Sequence, residues 1–139
     1  MSNSGPDADF PIRGDGLRIA IVATRWNASI VSALVEGAEL ALERVGVSAG
    51  DTTVMRVPGA FELPVATAHL ARSGSWDAVV CLGAVIRGDT PHFDYVAGPV
   101  AHQLSAIAVE TGVPVGFGLL TCDTPEQARE RAGGCVGNK

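Results

Sequence analysis

LRIAIVAT, Leu17 to Thr24, decides the fold. This short apolar run, rich in β-branched residues, has the composition of a strand buried on both faces. Such a strand needs helices above and below it, and the next segment provides one. From about Ala28 to Val45 the apolar positions Ile30, Val31, Leu34, Val35, Ala38, Leu42 and Val45 recur at helical spacing. Glu36, Glu39 and Glu43 take other faces, and Gly46 supplies the stop.

The alternation continues outward from this unit. Strands are predicted around Thr53 to Val57, Ala78 to Leu82 and Val115 to Leu120, and helices from about Pro64 to Arg72, beyond Pro91, and from Pro125 to Ala132. Thr124, Pro125 and Gln127 specify the last helix as N-cap, first-turn residue and reaching-back amide, and Gly133 and Gly134 end it. Gly98 and Pro99 interrupt the third helix, where a kink or break is predicted. Strands alternating with helices imply right-handed crossovers, hence an α/β sandwich of three layers around a four-stranded parallel sheet. Ligands of such sheets bind at the carboxyl ends of the strands, here just after Thr24, Val57, Leu82 and Leu120.

With 139 residues the chain fits one domain. Hydrophobic residues make up 47% and charged residues 18%, too apolar for disorder and rich enough to imply that some surface faces a partner subunit. The formal charge of −5 disfavours nucleic acid or an anionic membrane as partner, so an anionic substrate needs a local cationic pocket. Cys81, Cys122 and Cys135 form no CxxC pair, which suggests neither a disulfide framework nor a metal site and fits a reducing cytoplasm. Residues 1–16 lack a signal peptide's features and read as a flexible tail, in which Phe10, Pro11 and Ile12 form a small apolar island suited to docking on a neighbour. No apolar run reaches the length of a membrane span.

Each strand end carries a distinctive segment. After the first, Arg25, Trp26 and Asn27 replace the glycine- or hydroxyl-rich cradle that a phosphate would need there. Trp26 either stacks on a planar heterocycle or packs at a subunit contact, and Asn27 either caps the helix or bonds that ring. After the second comes VPGAFELP, Val57 to Pro64: Gly59 permits close approach, Phe61 offers an apolar wall, and Glu62 offers acceptors suited to a polyol. Glu62 is equally at home as a first-turn carboxylate favoured by the helix dipole.

The third segment is CLGAVIRGDTPHFDYV, Cys81 to Val96. Gly88, Asp89 and Thr90 lead into Pro91, which marks Thr90 as the N-cap and makes the free amides there an anion site. His92 lies in the first turn, where the dipole favours a neutral imidazole able to shuttle protons; a plain hydrogen-bonding role is the alternative. After the fourth strand, Gly116 and Gly118 flank Phe117, which suggests another backbone passing close by and an aromatic facing across a subunit boundary. Arg131 is either a dipole partner or a bidentate grip on phosphate. Arg56, Arg72, His69, His102 and Cys81 read as structural.

RWN, VPGAFELP, GAVIRGDTPHFDYV, FGLLTCDTPEQARERAGG and GNK, in this order and spacing, resemble the lumazine synthase family, and the likeness covers nearly all of Leu17 to Lys139. It implies a flavodoxin-like fold, pentamers that in some members close into icosahedral shells, active sites between adjacent subunits, and riboflavin synthase as a further partner. The activity implied is condensation of 5-amino-6-(D-ribitylamino)uracil with 3,4-dihydroxy-2-butanone 4-phosphate, with no metal and no organic cofactor.

Carried onto this chain, the resemblance implies that Trp26 stacks on the pyrimidine with Asn27 beside it. Gly59, Ala60, Phe61 and Glu62 then border the ribityl chain, and Ala84, Val85 and Ile86 line the ring pocket. Gly88, Asp89 and Thr90 hold phosphate with Arg131, and His92 is the proton carrier. Phe117 serves the neighbouring subunit, and Lys139 lies near the substrate ring.

Two departures stand out. The family continues past GNK into one more helix, whereas this sequence ends at Lys139, so one flank is expected to expose apolar surface. Cys135 and Val136 stand where the family more often has lysine and alanine. The competing functions are a flavin- or lumazine-binding or shell-forming protein without turnover, and a flavodoxin-type electron carrier; RWN after the first strand argues against the latter.

Overall fold

A computed structural model describes residues 11–138, so Phe10 and Lys139, both singled out above, lie outside the described residues. Four parallel strands form the central sheet: β1 (Ile19–Thr24), β2 (Thr52–Val57), β3 (Ala78–Ile86) and β4 (Val115–Cys122). Their spatial order is β2-β1-β3-β4, so the direction of winding reverses between β1 and β3. At that switch point the loops leaving two adjacent strands diverge and open a crevice, the usual ligand position in a doubly wound sheet.

Helices cover both faces. Ile21 and Ala23 of β1 pack with Ile30, Val31, Leu34 and Val35 of α1 (Ala28–Arg44) and Ala128 of α4 (Pro125–Arg131). The alternate residues Ala20 and Val22 pack on Leu63 and Leu70 of α2 (Leu63–Arg72) and Val100 and Leu104 of α3 (His92–Thr111). All six β1 residues are buried, but the strand begins at Ile19 rather than Leu17, which lies outside the pairing with β2 and β3 and stands 41% exposed. Each fully buried valine or isoleucine there contributes on the order of 1.5–3 kcal/mol of transfer free energy. The three-layer, flavodoxin-like α/β arrangement is the one expected.

Several local expectations are corrected. β3 continues four residues past Leu82, to Ile86. Its neighbours are close: a Cβ at Gly83 would lie 2.9 Å from both Thr24 Cγ2 and Leu119 Cδ1, so glycine lets the strand run on between two filled positions. α3 runs through Gly98 and Pro99 as one helix of 20 residues, so of the expected kink or break the break does not occur. The turn before α3 is tighter than expected: Pro91 occupies the cap position, and Thr90 Oγ1 lies 3.5 Å from the His92 amide, too long for a firm cap. The close backbone expected beside Phe117 belongs to this chain's own β3, since a Cβ at Gly118 would lie 2.9 Å from the Cys81 carbonyl oxygen.

The cap of α4 forms as read: Thr124 Oγ1 accepts from the Gln127 amide at 3.2 Å while Gln127 Oε1 accepts from the Asp123 amide at 2.8 Å. Beyond α4 a small antiparallel ribbon, β5 (Ala132–Gly134) and β6 (Gly137–Asn138), was not anticipated. It folds back on α1, where Asn138 Nδ2 donates to the Ala33 carbonyl at 3.2 Å, and the absent side chain of Gly37 leaves room for that carboxamide. At the other end, the Gly14 amide donates to the carbonyl of Val45, tying residues preceding β1 to the close of α1.

Candidate active site

Three chain segments meet at the switch point. The first leaves β1: Arg25 N–H donates to the Val57 carbonyl at 2.9 Å, extending the β1–β2 pairing one residue beyond Thr24. Trp26 follows, 72% exposed. Asn27 then adopts the left-handed conformation (φ 56°, ψ 47°), alone among the described non-glycine residues. Asparagine tolerates this region better than most residues because its short polar side chain can satisfy itself locally. Here Nδ2 donates to the Ala84 carbonyl at 3.1 Å, and no side-chain cap bond is made to α1. Of the two roles the sequence left open to Asn27, the side-chain cap does not form; its amide ties the Trp26 turn to the end of β3.

The second segment leaves β2. Gly59 is extended, and a Cβ there would lie 3.2 Å from Trp26 Cδ1, so the bare backbone gives the indole its place. The Gly59 amide donates to Glu62 Oε2 at 2.8 Å, which fixes the carboxylate at the entry to α2 and leaves Oε1 for another donor. Phe61 stands 67% exposed. The third segment is the end of β3, where Ala84, Val85 and Ile86 form a floor, followed by His92 and Val96 one helical turn apart.

Together these residues enclose an open cleft of about 530 Å³, lined by Trp26, Asn27, Pro58 to Glu62, Ala84 to Ile86, His92 and Val96. That volume suits one small heterocycle with a side chain. A second concavity, about 510 Å³, lies by the amino end of β2, with Glu36, Glu39 and Glu43 among its walls. It contains none of the candidate residues and sits at the wrong end of the strands for a switch-point ligand.

Of the residues expected from sequence, Trp26, Asn27, Gly59, Ala60, Phe61, Glu62, Ala84, Val85, Ile86 and His92 therefore converge in one cleft. Gly88, Asp89 and Thr90 form an exposed turn just past the cleft's edge. Arg131 ends α4 with Nη1 donating to the Gln127 carbonyl at 3.0 Å, and it forms no ion pair among the described residues. It lies near enough to Cys122 to oppose the upward push that burial gives that thiol, and Cys122 pairs in register with Ile86. Phe117 does not line the cleft; it sits opposite Cys81, three rungs before the Ala84–Leu120 rung, on an edge strand and 51% exposed.

Pro58 and Val96 were missed as walls, although Val96 follows from helical spacing after His92. Arg87 was missed as well. Its guanidinium meets Asp94 at 3.1 and 3.3 Å and Asp123 at 3.3 Å, lies 4.2 Å from the centre of the Phe93 ring, and has its pKa raised mainly by the Asp94 bond. Among the described residues, no cluster of three or more histidine, cysteine or acidic side chains could hold a metal ion. No described helix is long and apolar enough to cross a membrane.

Comparison with known proteins gives a consistent picture. The family model described as 6,7-dimethyl-8-ribityllumazine synthase matches residues 16–139. A protein of that name from Kineococcus radiotolerans is 55% identical over 133 residues, 96% of this chain and 80% of the relative. Another of the same name, from Nitratidesulfovibrio vulgaris, is 55% identical over 124 residues, 89% of this chain and 80% of the relative.

Proposed function

The chain belongs to the 6,7-dimethyl-8-ribityllumazine synthase family, and from that premise we propose how its cleft performs the family's transferase reaction in riboflavin biosynthesis. The substrates are 5-amino-6-(D-ribitylamino)uracil and 3,4-dihydroxy-2-butanone 4-phosphate. The observation that carries the assignment of roles is the convergence of Trp26, Glu62, the β3 floor and His92 on one cleft at the switch point.

The pyrimidine stacks on Trp26 over Ala84, Val85 and Ile86, and its ribityl chain runs along Gly59, Ala60 and Phe61 to the remaining oxygen of Glu62. The sugar phosphate enters beside it, with its phosphate on the Gly88–Thr90 turn opposite Arg131. The pyrimidine's amine condenses with the ketone to an imine, losing water. Removal of a proton from the adjacent carbon expels phosphate, and ring closure with loss of a second water completes the lumazine. His92 carries the protons, and much of the acceleration comes from holding two reactants in register.

Phe117 stands away from its own cleft on an exposed edge, which supports a role in the cleft of a neighbouring copy. The exposure of the cleft walls Trp26 and Phe61, and of Val65 and Tyr95 outside it, supports the same reading, since a monomer would leave this apolar surface wet. The assembly proposed is a pentamer, alone or as the unit of an icosahedral shell, with riboflavin synthase as partner, in the cytoplasm. Lys139, outside the described residues, is included in the proposed site on the family resemblance alone.

The test mixes the purified chain with both substrates and follows lumazine fluorescence above the uncatalysed background, with light scattering on the same sample. Turnover proportional to protein from an oligomer is expected. A folded chain without turnover, or an active monomer, overturns the intersubunit reading of the cleft.

A further inference from the structure

We propose that Arg87 is a positioning residue for the phosphate turn, a role that rests on reading Gly88, Asp89 and Thr90 as the phosphate site. Arg87 is the first residue past β3, and its amide donates to the Cys122 carbonyl at 2.9 Å, so its backbone is pinned to the end of β4. From there the side chain fans out to three places. Nη1 and Nη2 take the two oxygens of Asp94 in the first turn of α3, at 3.3 and 3.1 Å. Nε takes Asp123 in the connection between β4 and α4, at 3.3 Å, and the planar group lies over Phe93.

The four residues Gly88 to Pro91 are strung between Arg87 and its partner Asp94. Apart from the Asp94 amide, which donates to the Pro91 carbonyl at 3.0 Å, they have little else to hold them: a Cβ at Gly88 would meet nothing within 4 Å, and the Thr90 hydroxyl makes only the long 3.5 Å approach to the His92 amide. The conformation of the turn is therefore set at its ends, and Arg87 joins those ends. A flexible turn would present its amides to phosphate in many arrangements, whereas a clamped one presents them in one.

Arg87 does not act here as the charge that binds phosphate. All three of its nitrogens face carboxylates, and the cluster of Arg87, Asp94 and Asp123 carries a formal charge of −1. Charge and position thus make opposite predictions for Asp94. If the cluster acts only through its field, removing the Asp94 carboxylate tightens phosphate; if it acts as a clamp, the same change loosens it.

The experiment measures, for the intact enzyme and for Arg87→Lys, Asp94→Ala and Arg131→Ala, the KM for each substrate and inhibition by inorganic phosphate, with circular dichroism as a check of folding. Arg87→Lys keeps the charge at an exposed position but loses the fork. Both it and Asp94→Ala are expected to raise the KM for the sugar phosphate and the inhibition constant of phosphate by roughly ten-fold, with the KM for the pyrimidine changed by less than about two-fold. Tighter phosphate binding by Asp94→Ala, or an Arg87→Lys enzyme indistinguishable from the parent, overturns the clamp. If Arg131→Ala weakens phosphate while Arg87→Lys does not, only the clamp falls. If none of the three alters phosphate binding, the phosphate turn itself falls with it.

Discussion

Asn27 donates its side-chain amide to the Ala84 carbonyl at 3.1 Å, and this one bond holds the turn that carries Trp26 against the strand end that forms the floor of the cleft. Two contributions of opposite sign meet at this residue. Its left-handed backbone disfavours ordinary side chains by about 1–2 kcal/mol, and its hydrogen bond is worth about 1 kcal/mol. Asn27→Ala is therefore expected to lose about 2–3 kcal/mol in urea unfolding, while Asn27→Gly, which relieves the backbone, loses only about 1 kcal/mol. Equal losses would mean that the backbone conformation is not what asparagine serves.

The contact between Gly59 and Trp26 predicts a specific defect. The extended backbone at 59 accepts alanine without strain, but its Cβ would press on Trp26 Cδ1 at 3.2 Å and displace the indole by a few tenths of an ångström. Gly59→Ala is expected to leave the thermal midpoint nearly unchanged and to raise the KM for the pyrimidine by about three- to ten-fold, since small misplacements are magnified in the alignment of two reactants. An unchanged KM would remove Trp26 from the pyrimidine's stacking site.

His92 and Arg131 should separate by kinetic signature. His92→Ala is expected to lower kcat by about 10- to 100-fold with little change in either KM, as befits a proton carrier in a reaction dominated by positioning. Arg131→Ala, losing a charge-assisted bond, should raise the KM for the sugar phosphate roughly ten-fold while sparing the pyrimidine. If both variants show parent kinetics, these two roles do not hold.

A pH effect follows from Cys81. Its thiol is buried on β3, accepts or donates a 3.1 Å contact with Thr67 Oγ1, and is pushed by burial up to about 11 from an ordinary 9.0. The folded state thus holds the proton more tightly than the unfolded state. The resulting stability is fully present below pH 9 and is lost as pH rises toward 11, an effect of about 3 kcal/mol. Urea titrations across that window should show this decline in the parent protein, and a Cys81→Ala variant should lack it. Parallel pH profiles for the two would place the thiolate in water.

The strongest sequence signals were those with physical redundancy. The β1 run and the seven apolar positions of α1 each repeat one message several times, so the layering was legible in them, whereas the strand order β2-β1-β3-β4 was not. Local preference ends β3 at Leu82 because Gly83 and Ala84 are weak strand formers in isolation, and their place in the ladder depends on neighbours such as Thr24 and Leu119. Pro99 predicts a kink or a break, yet α3 passes through it without a break, because Val96 before it and Val100 and Leu104 after it pack on the same core.

The cleft was legible because its residues follow strand ends one by one. The Arg87 cluster was not, because Asp94 and Asp123 approach it from two different elements and neither spacing marks a motif. For the same reason the bond from Asn27 to Ala84, 57 positions apart, had no local trace.

The bond from Asn138 to Ala33 also has a temporal side. The two residues are 105 positions apart, so on a ribosome adding about 5–20 residues per second the latch arrives some 5–20 s after α1 has been made. During that interval the surface of α1 around Ala33 and Gly37 waits without the ribbon that covers it. The ribbon therefore joins α1 only after all four strands of the central sheet have been translated.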